Sequence, residues 1–99
     1  MSHILYEVVI TVTPEIRADY LAWLKPHIDE MLTFDGFLSA DMFINSENAT
    51  EITCHYRLKD QRAMDAYLEG PAKEMRADGV KRFGDNIRAT RRVLNAQEL

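Results

Sequence analysis

Three histidines, one cysteine and a few arginines and carboxylates are the residues of this chain with chemistry to offer. His27 stands four residues after Trp23 and four before Met31. On a helix that spacing sets it at the edge of an apolar stripe. A histidine there can act as a base in a pocket between helix and sheet. The plainer reading is a half-buried histidine bonded to backbone carbonyls freed by Pro26. His55 falls mid-strand with Arg57 two residues on, so the two share a face. Asp41, on a neighbouring strand, could orient His55 and raise its pKa. The same pair also fits an ordinary cross-strand ion pair. His3 opens the first strand and is expected to be exposed. The histidines show no metal-ligand spacing, and Cys54 points away from His55 across its strand. No metal and no cofactor are expected.

Trp23, Tyr20, Tyr67 and Phe83 could line a flat aromatic pocket, although aromatic residues at helical spacing more often make plain core. The run from Arg76 to Asp85 holds five charged residues, Gly79, Gly84 and Phe83. It lacks the GxxxxGK[ST] spacing of a phosphate loop. Arg76 and Arg82 could grip a carboxylate bidentately. Otherwise the run reads as a tight connection with Gly79 and Gly84 at positive φ and Phe83 plugging the core. The expected ligand lining is Trp23, His27, Tyr56 and Arg82.

These residues must be positioned by regular elements. From His3 to Val12, Ile4, Tyr6, Val8, Ile10 and Val12 alternate with Leu5, Glu7, Val9 and Thr11, as in a central strand covered on both sides. Thr13-Pro14 suits a helix start. Ile16, Tyr20, Trp23, Leu24, Ile28 and Met31 then recur at helical spacing through Leu32, with a bend expected at Pro26. Residues 37–45 and 50–58 read as a strand pair around the turn Asn45-Ser46-Glu47-Asn48. Asp60 caps a second helix that Gly70-Pro71 interrupts. A short piece to Ala77, a turn at Asp78-Gly79 and one more turn to Phe83 lead into a last strand over 86–94.

The order strand, helix, strand, strand, helix, strand is the split βαβ arrangement. The fold class is α+β, ferredoxin-like βαββαβ, a four-stranded antiparallel sheet with its helices on one face. The covered face should carry Tyr6, Val8 and Ile10; Leu38, Ala40 and Met42; Ile52, Cys54 and Tyr56; Ile87, Ala89 and Val93. The opposite face mixes Glu7, Asp41, His55, Arg57, Arg88 and Arg92 with Leu5, Val9, Phe37, Phe43 and Leu94. So much apolar surface suits a second copy packed sheet to sheet, with Glu7 and Asp41 pairing the cations.

Length and composition set the outer bounds. The 99 residues are expected to form one domain, 1–99. A net charge of −4 argues against nucleic acid as partner. No stretch approaches the ~20 apolar residues of a membrane span. Met1 to Glu7 lacks a basic start and Glu7 interrupts its apolar run, so no secretory signal is read there. With a single cysteine, a cytoplasmic location is expected.

Three segments carry a family resemblance: Ile4-Leu5-Tyr6-Glu7-Val8, Trp23-Leu24-Lys25-Pro26-His27-Ile28-Asp29-Glu30-Met31-Leu32, and Arg76-Ala77-Asp78-Gly79-Val80-Lys81-Arg82-Phe83-Gly84-Asp85. Through them the chain resembles the dimeric α/β-barrel superfamily. Within it, the chain is similar to a family of small bacterial proteins known only as a domain of unknown function, number 4286. The resemblance implies the fold and a homodimer but no reaction. The superfamily includes cofactor-free monooxygenases, haem-degrading enzymes, polyketide cyclases and ligand-sensing modules, and fold analogy does not choose among them. Two readings follow. One is a protein that binds or transforms a small organic molecule without cofactor, which requires a sizeable cavity in the monomer. The other is a non-catalytic structural or regulatory dimerisation module, which requires the polar groups of the open sheet face to be paired off.

Overall fold

The computed structural model describes residues 3–99; Met1 and Ser2, at the head of the N-terminal run, lie outside them. The elements run β1 (Ile4–Val12), α1 (Arg17–Met31), β2 (Phe37–Asn45), β3 (Asn48–Leu58), α2 (Gln61–Glu69), α3 (Ala72–Phe83) and β4 (Ile87–Asn95). Short 3-10 turns at Pro14–Ile16 and Gly84–Asn86 introduce α1 and β4. The strands form one antiparallel sheet in the order β2-β3-β1-β4. This is the ferredoxin-like arrangement expected from the element order.

Alternation along the two central strands decides where the core lies. Ile4, Tyr6, Ile10 and Val12 of β1 are buried beside Ile52, Cys54, Tyr56 and Leu58 of β3. Tyr20, Leu24 and Met31 of α1, Met64 and Tyr67 of α2, and Met75 and Phe83 of α3 join them in one cluster. All three helices therefore cover the same face of the sheet, and burial of this apolar surface is the main stabilising contribution.

The edge strand β2 departs from strict alternation. A register shift falls between Phe37 and Ser39, so Phe37 pairs with Leu58 while Ala40 pairs with Tyr56. The additional residue rotates Phe37 into the core at 8% exposure and leaves Leu38 57% exposed. Phe37 thus belongs to the covered face and not to the open one, the reverse of the sequence expectation for this pair. Met42 keeps its register with Cys54 but is also exposed, beside a groove between β2 and α1.

Helix boundaries follow their local signals in part. Asp60 caps α2, its Oδ1 accepting a hydrogen bond from the Ala63 amide at 2.9 Å. Thr13 makes no side-chain cap; its hydroxyl donates instead to Asn86 Oδ1 at 3.2 Å. α1 continues through Pro26. The largest difference is α3, one unbroken helix where a turn at Asp78-Gly79 was expected. Gly79 is helical; positive φ occurs at Gly36 and Gly84. The glycine at 79 answers to space: a Cβ there would stand 3.4 Å from Trp23 Cη2 and 3.5 Å from Ile87 Cδ1.

Candidate functional site

Between the helices and the covered sheet face lies a cavity of about 280 Å³. Two small residues open it: Gly79 on α3 and Ala89 on β4 both face the gap where larger side chains would fill it. Such a void is uncommon in a close-packed interior.

α1 supplies one wall. Trp23 and His27, one helical turn apart, stack with ring centroids 4.5 Å apart at 24°. Tyr20 and Phe83 hold the indole from other sides at 5.6 and 5.7 Å. His27 is half-buried as expected, but among the described residues it makes none of the carbonyl contacts expected beside Pro26, and no hydrogen bond occupies its ring nitrogens. Burial lowers its pKa below the ordinary 6.5, Glu30 and Asp78 act to raise it, and Arg91 adds to the lowering. The imidazole is therefore neutral at pH 7 and able to accept a proton.

The remaining walls are phenolic. Tyr6 and Tyr56 rise from the sheet and Tyr67 from α2. Burial pushes the Tyr67 hydroxyl up to about 12 and raises those of Tyr20 and Tyr56 as well, so all three stay protonated. No buried side-chain polar atom among the described residues lacks a partner. The Tyr20 and Tyr67 hydroxyls, which bond to no group among the described residues, are therefore not fully enclosed. Cys54, also at the wall, is pushed up to about 11 by burial and remains a thiol.

Of the expected lining, Trp23, His27 and Tyr56 border this cavity and Arg82 does not. Its guanidinium carbon sits 5.7 Å from the Phe83 ring centroid instead. The reason is the continuity of α3: positions 76, 79, 80 and 83 share one face of an unbroken helix, and position 82 turns away. Two other cations line the cavity, Arg76 of α3 and Arg91 of β4. Arg76 Nη2 donates to Tyr6 Oη at 3.2 Å. Arg91 carried a readable signal: it shares strand parity with Ile87, Ala89 and Val93, a lone charge on an otherwise apolar face.

The open face holds a separate polar cluster. His55 Nε2 lies 2.9 Å from Glu7 Oε2, and Arg92 Nε donates to Glu7 Oε1 at 2.7 Å. The hydrogen bond from Arg92 holds the Glu7 carboxyl below its ordinary value, with His55 adding to it against the opposing effect of burial. Asp41 and Glu7 both stand opposite His55 in register. Glu7 takes the contact expected of Asp41, and the Phe43 ring packs edge-on to the imidazole at 5.2 Å. His3 is half-buried rather than exposed. Among the described residues, no group of three or more His, Cys, Asp or Glu side chains is placed to hold a metal ion.

A family model described as a domain of unknown function, DUF4286, matches residues 3–97. A search of curated proteins finds no match. Among solved structures the chain is similar to SnoaB, a cofactor-independent oxygenase from Streptomyces nogalater, with a TM-score of 0.79 and 11% identity over 98% of this chain and 95% of that one. It is similar to a conserved protein of unknown function from Bacteroides thetaiotaomicron, with a TM-score of 0.76 and 15% identity over 96% and 98% of the two chains. A third, an antibiotic biosynthesis monooxygenase, gives a TM-score of 0.72 and 14% identity over 97% and 98%. At such identities the likeness is one of fold.

Proposed function

Because the chain belongs to the DUF4286 family, whose description assigns no reaction, we infer a function from its cavity: the protein binds a small planar organic molecule and transforms it without a cofactor. The observation that carries this reading is the stacked Trp23–His27 pair on the wall of an aromatic-lined cavity of about 280 Å³. An apolar cavity of about 150 Å³ takes benzene, so this one suits a molecule of one or two rings. Indole and phenol faces would hold the ring by stacking. His27, neutral and free of hydrogen bonds among the described residues, would take a proton from the bound molecule. The cofactor-independent oxygenase among the fold neighbours supports oxygenation as the reaction class, with molecular oxygen as co-substrate.

Trp23 is the single tryptophan, so its emission reports on the site. Saturable quenching by 2-naphthylmethanol, together with oxygen consumption on a panel of two-ring phenols, is the expected result. His27→Gln should keep the quenching and slow turnover by about 10²- to 10⁴-fold. Absence of saturable quenching by both 2-naphthylmethanol and its carboxylate relative 2-naphthoate would overturn the reading.

A second observation favours a role for the open face as well. Leu5, Val9 and Leu94 are only half-buried there and Phe43 is 50% exposed, around the Glu7–His55–Arg92 cluster. Two copies packed sheet to sheet would cover this surface, giving a homodimer in which His55 and Asp41 are structural. On the alternative reading this dimer, and not catalysis, is the function. Sedimentation across a concentration series decides whether the dimer exists, and the oxygen assay separates the two roles. The lone buried Cys54 suits a reducing cytoplasm, and no helix among the described residues is long and apolar enough to cross a membrane.

A further inference from the structure

The cavity has a polarity that the binding of a neutral ring does not explain. Arg76 and Arg91 come from different elements, α3 and β4, and line the same space. Both are exposed, as is Val80 beside them, so the charges stand at the mouth while the aromatic walls lie deeper. Neither guanidinium has a carboxylate within ion-pair distance among the described residues. The contrast with the next residue is direct. Arg92, opposite Glu7 in register, is paired with it on the open face, while Arg91, opposite Val8, has no ion-pair partner among the described residues.

Arg76 is also held in place. Its contact with Tyr6 Oη uses one donor of the five a guanidinium carries and leaves the rest of the fork available. The charge of Arg91 is felt across the cavity, where it acts on Tyr20, Tyr67 and His27. Glu30 and Asp78 act on His27, but neither reaches an arginine. In a chain of net charge −4, two unpaired cations at one cavity mouth form a local site for an anion.

Building on the cavity reading, we propose that the ligand is a planar aromatic carboxylate, its ring seated against Trp23 and its carboxylate held at the mouth by Arg76 and Arg91. A planar carboxylate matches the guanidinium fork geometrically. The arrangement orients the molecule: the charged end stays at the mouth and the ring edge is presented to His27.

The test compares 2-naphthoate with its neutral relative 2-naphthylmethanol, both titrated against Trp23 emission at low and at physiological salt. The wild type should bind the carboxylate about tenfold or more tighter, with the preference shrinking as salt rises. Arg76→Gln and Arg91→Gln should each erode the preference and leave 2-naphthylmethanol binding as it was, which also shows that the variants are folded. Arg92→Gln, on the other face, should keep the preference. Equal binding of the two probes by the wild type would overturn the anion proposal and leave the cavity reading standing. Binding of neither probe would overturn both. A preference that survives the double variant Arg76→Gln/Arg91→Gln would assign the anion to other groups and overturn the proposal as stated.

Discussion

The two faces of the sheet are built from the same strands by the same alternation, yet the adjacent arginines of β4 meet different surroundings on them: Arg92 finds Glu7, while Arg91, like Arg57 and Arg88 on the open face, has no ion-pair partner among the described residues. On the open face Glu7 is bracketed by His55 and Arg92, so charge is answered locally and no cation of that trio is left over. On the covered face the buried residues are apolar or phenolic, and the two cations at its cavity have no acid partner among the described residues. Paired charge favours one strand register, while unpaired charge beside a void creates an opportunity for a ligand. The adjacent residues Arg91 and Arg92 show that a single step along β4 separates these roles.

Substitutions on the two faces can break that contrast. The largest effect is expected from Ile52→Ala, at a fully buried position of β3. It should cost about 2–5 kcal/mol in urea unfolding. Val9→Ala on the open face should cost under about 1 kcal/mol in a monomer. A cost that grows with protein concentration would show that this face is covered by another copy.

Glu7→Gln should cost about 1 kcal/mol at pH 7, since the pair is partly exposed. Its effect should also depend on pH. The folded carboxyl titrates below its ordinary value of 4.5, so its contribution is fully present above that pH and is lost as pH falls through the folded pKa. Unfolding curves of Glu7→Gln and wild type should converge at the acid end; parallel curves across the acid range would remove the ionic account of the cluster.

Gly79→Ala is expected to stabilise α3 by about 0.5–1 kcal/mol, because the residue is helical and the new methyl meets Trp23 and Ile87 at ordinary contact distance. The same methyl narrows the cavity, so a weaker response of Trp23 to 2-naphthylmethanol should accompany the gain. The smallest effect concerns Cys54. Its thiol, pushed up to about 11 and buried, should not react with Ellman's reagent at pH 8 until denaturant is added.

Much of this arrangement was legible from residue types and spacing. The alternation in β1 and β3 assigned their faces, and Asp60 marked the start of α2. Phe37 was misassigned because a bulge adds one residue to one strand, and no period-2 count can detect that. Gly79 reads as a turn in the sequence because glycine serves both free dihedrals and close packing, and the sequence does not say which. That error carried over to Arg82, since breaking α3 changes which side chains share its face. The pairing of His55 with Glu7 rather than Asp41 is a choice between two register neighbours, decided by side-chain geometry. Trp23, His27 and Tyr56 are legible as pocket lining from residue type and placement, but the size and opening of the void are not, because they depend on what fails to fill it, here Gly79 and Ala89.

The irregularities of β2 bear on the behaviour of the chain at high concentration. An outer strand with free backbone groups invites another chain to add to the sheet, and Leu38, Met42 and Ile44 would make this one adhesive. Its ladder is interrupted near both ends, between Phe37 and Ser39 and between Ile44 and Asn45. The first interruption adds a residue to β2 itself, so a newcomer would find the hydrogen-bonding pattern out of step at Leu38; the second adds its residues to β3. The kink that seats Phe37 in the core thereby also guards against fibrous aggregation.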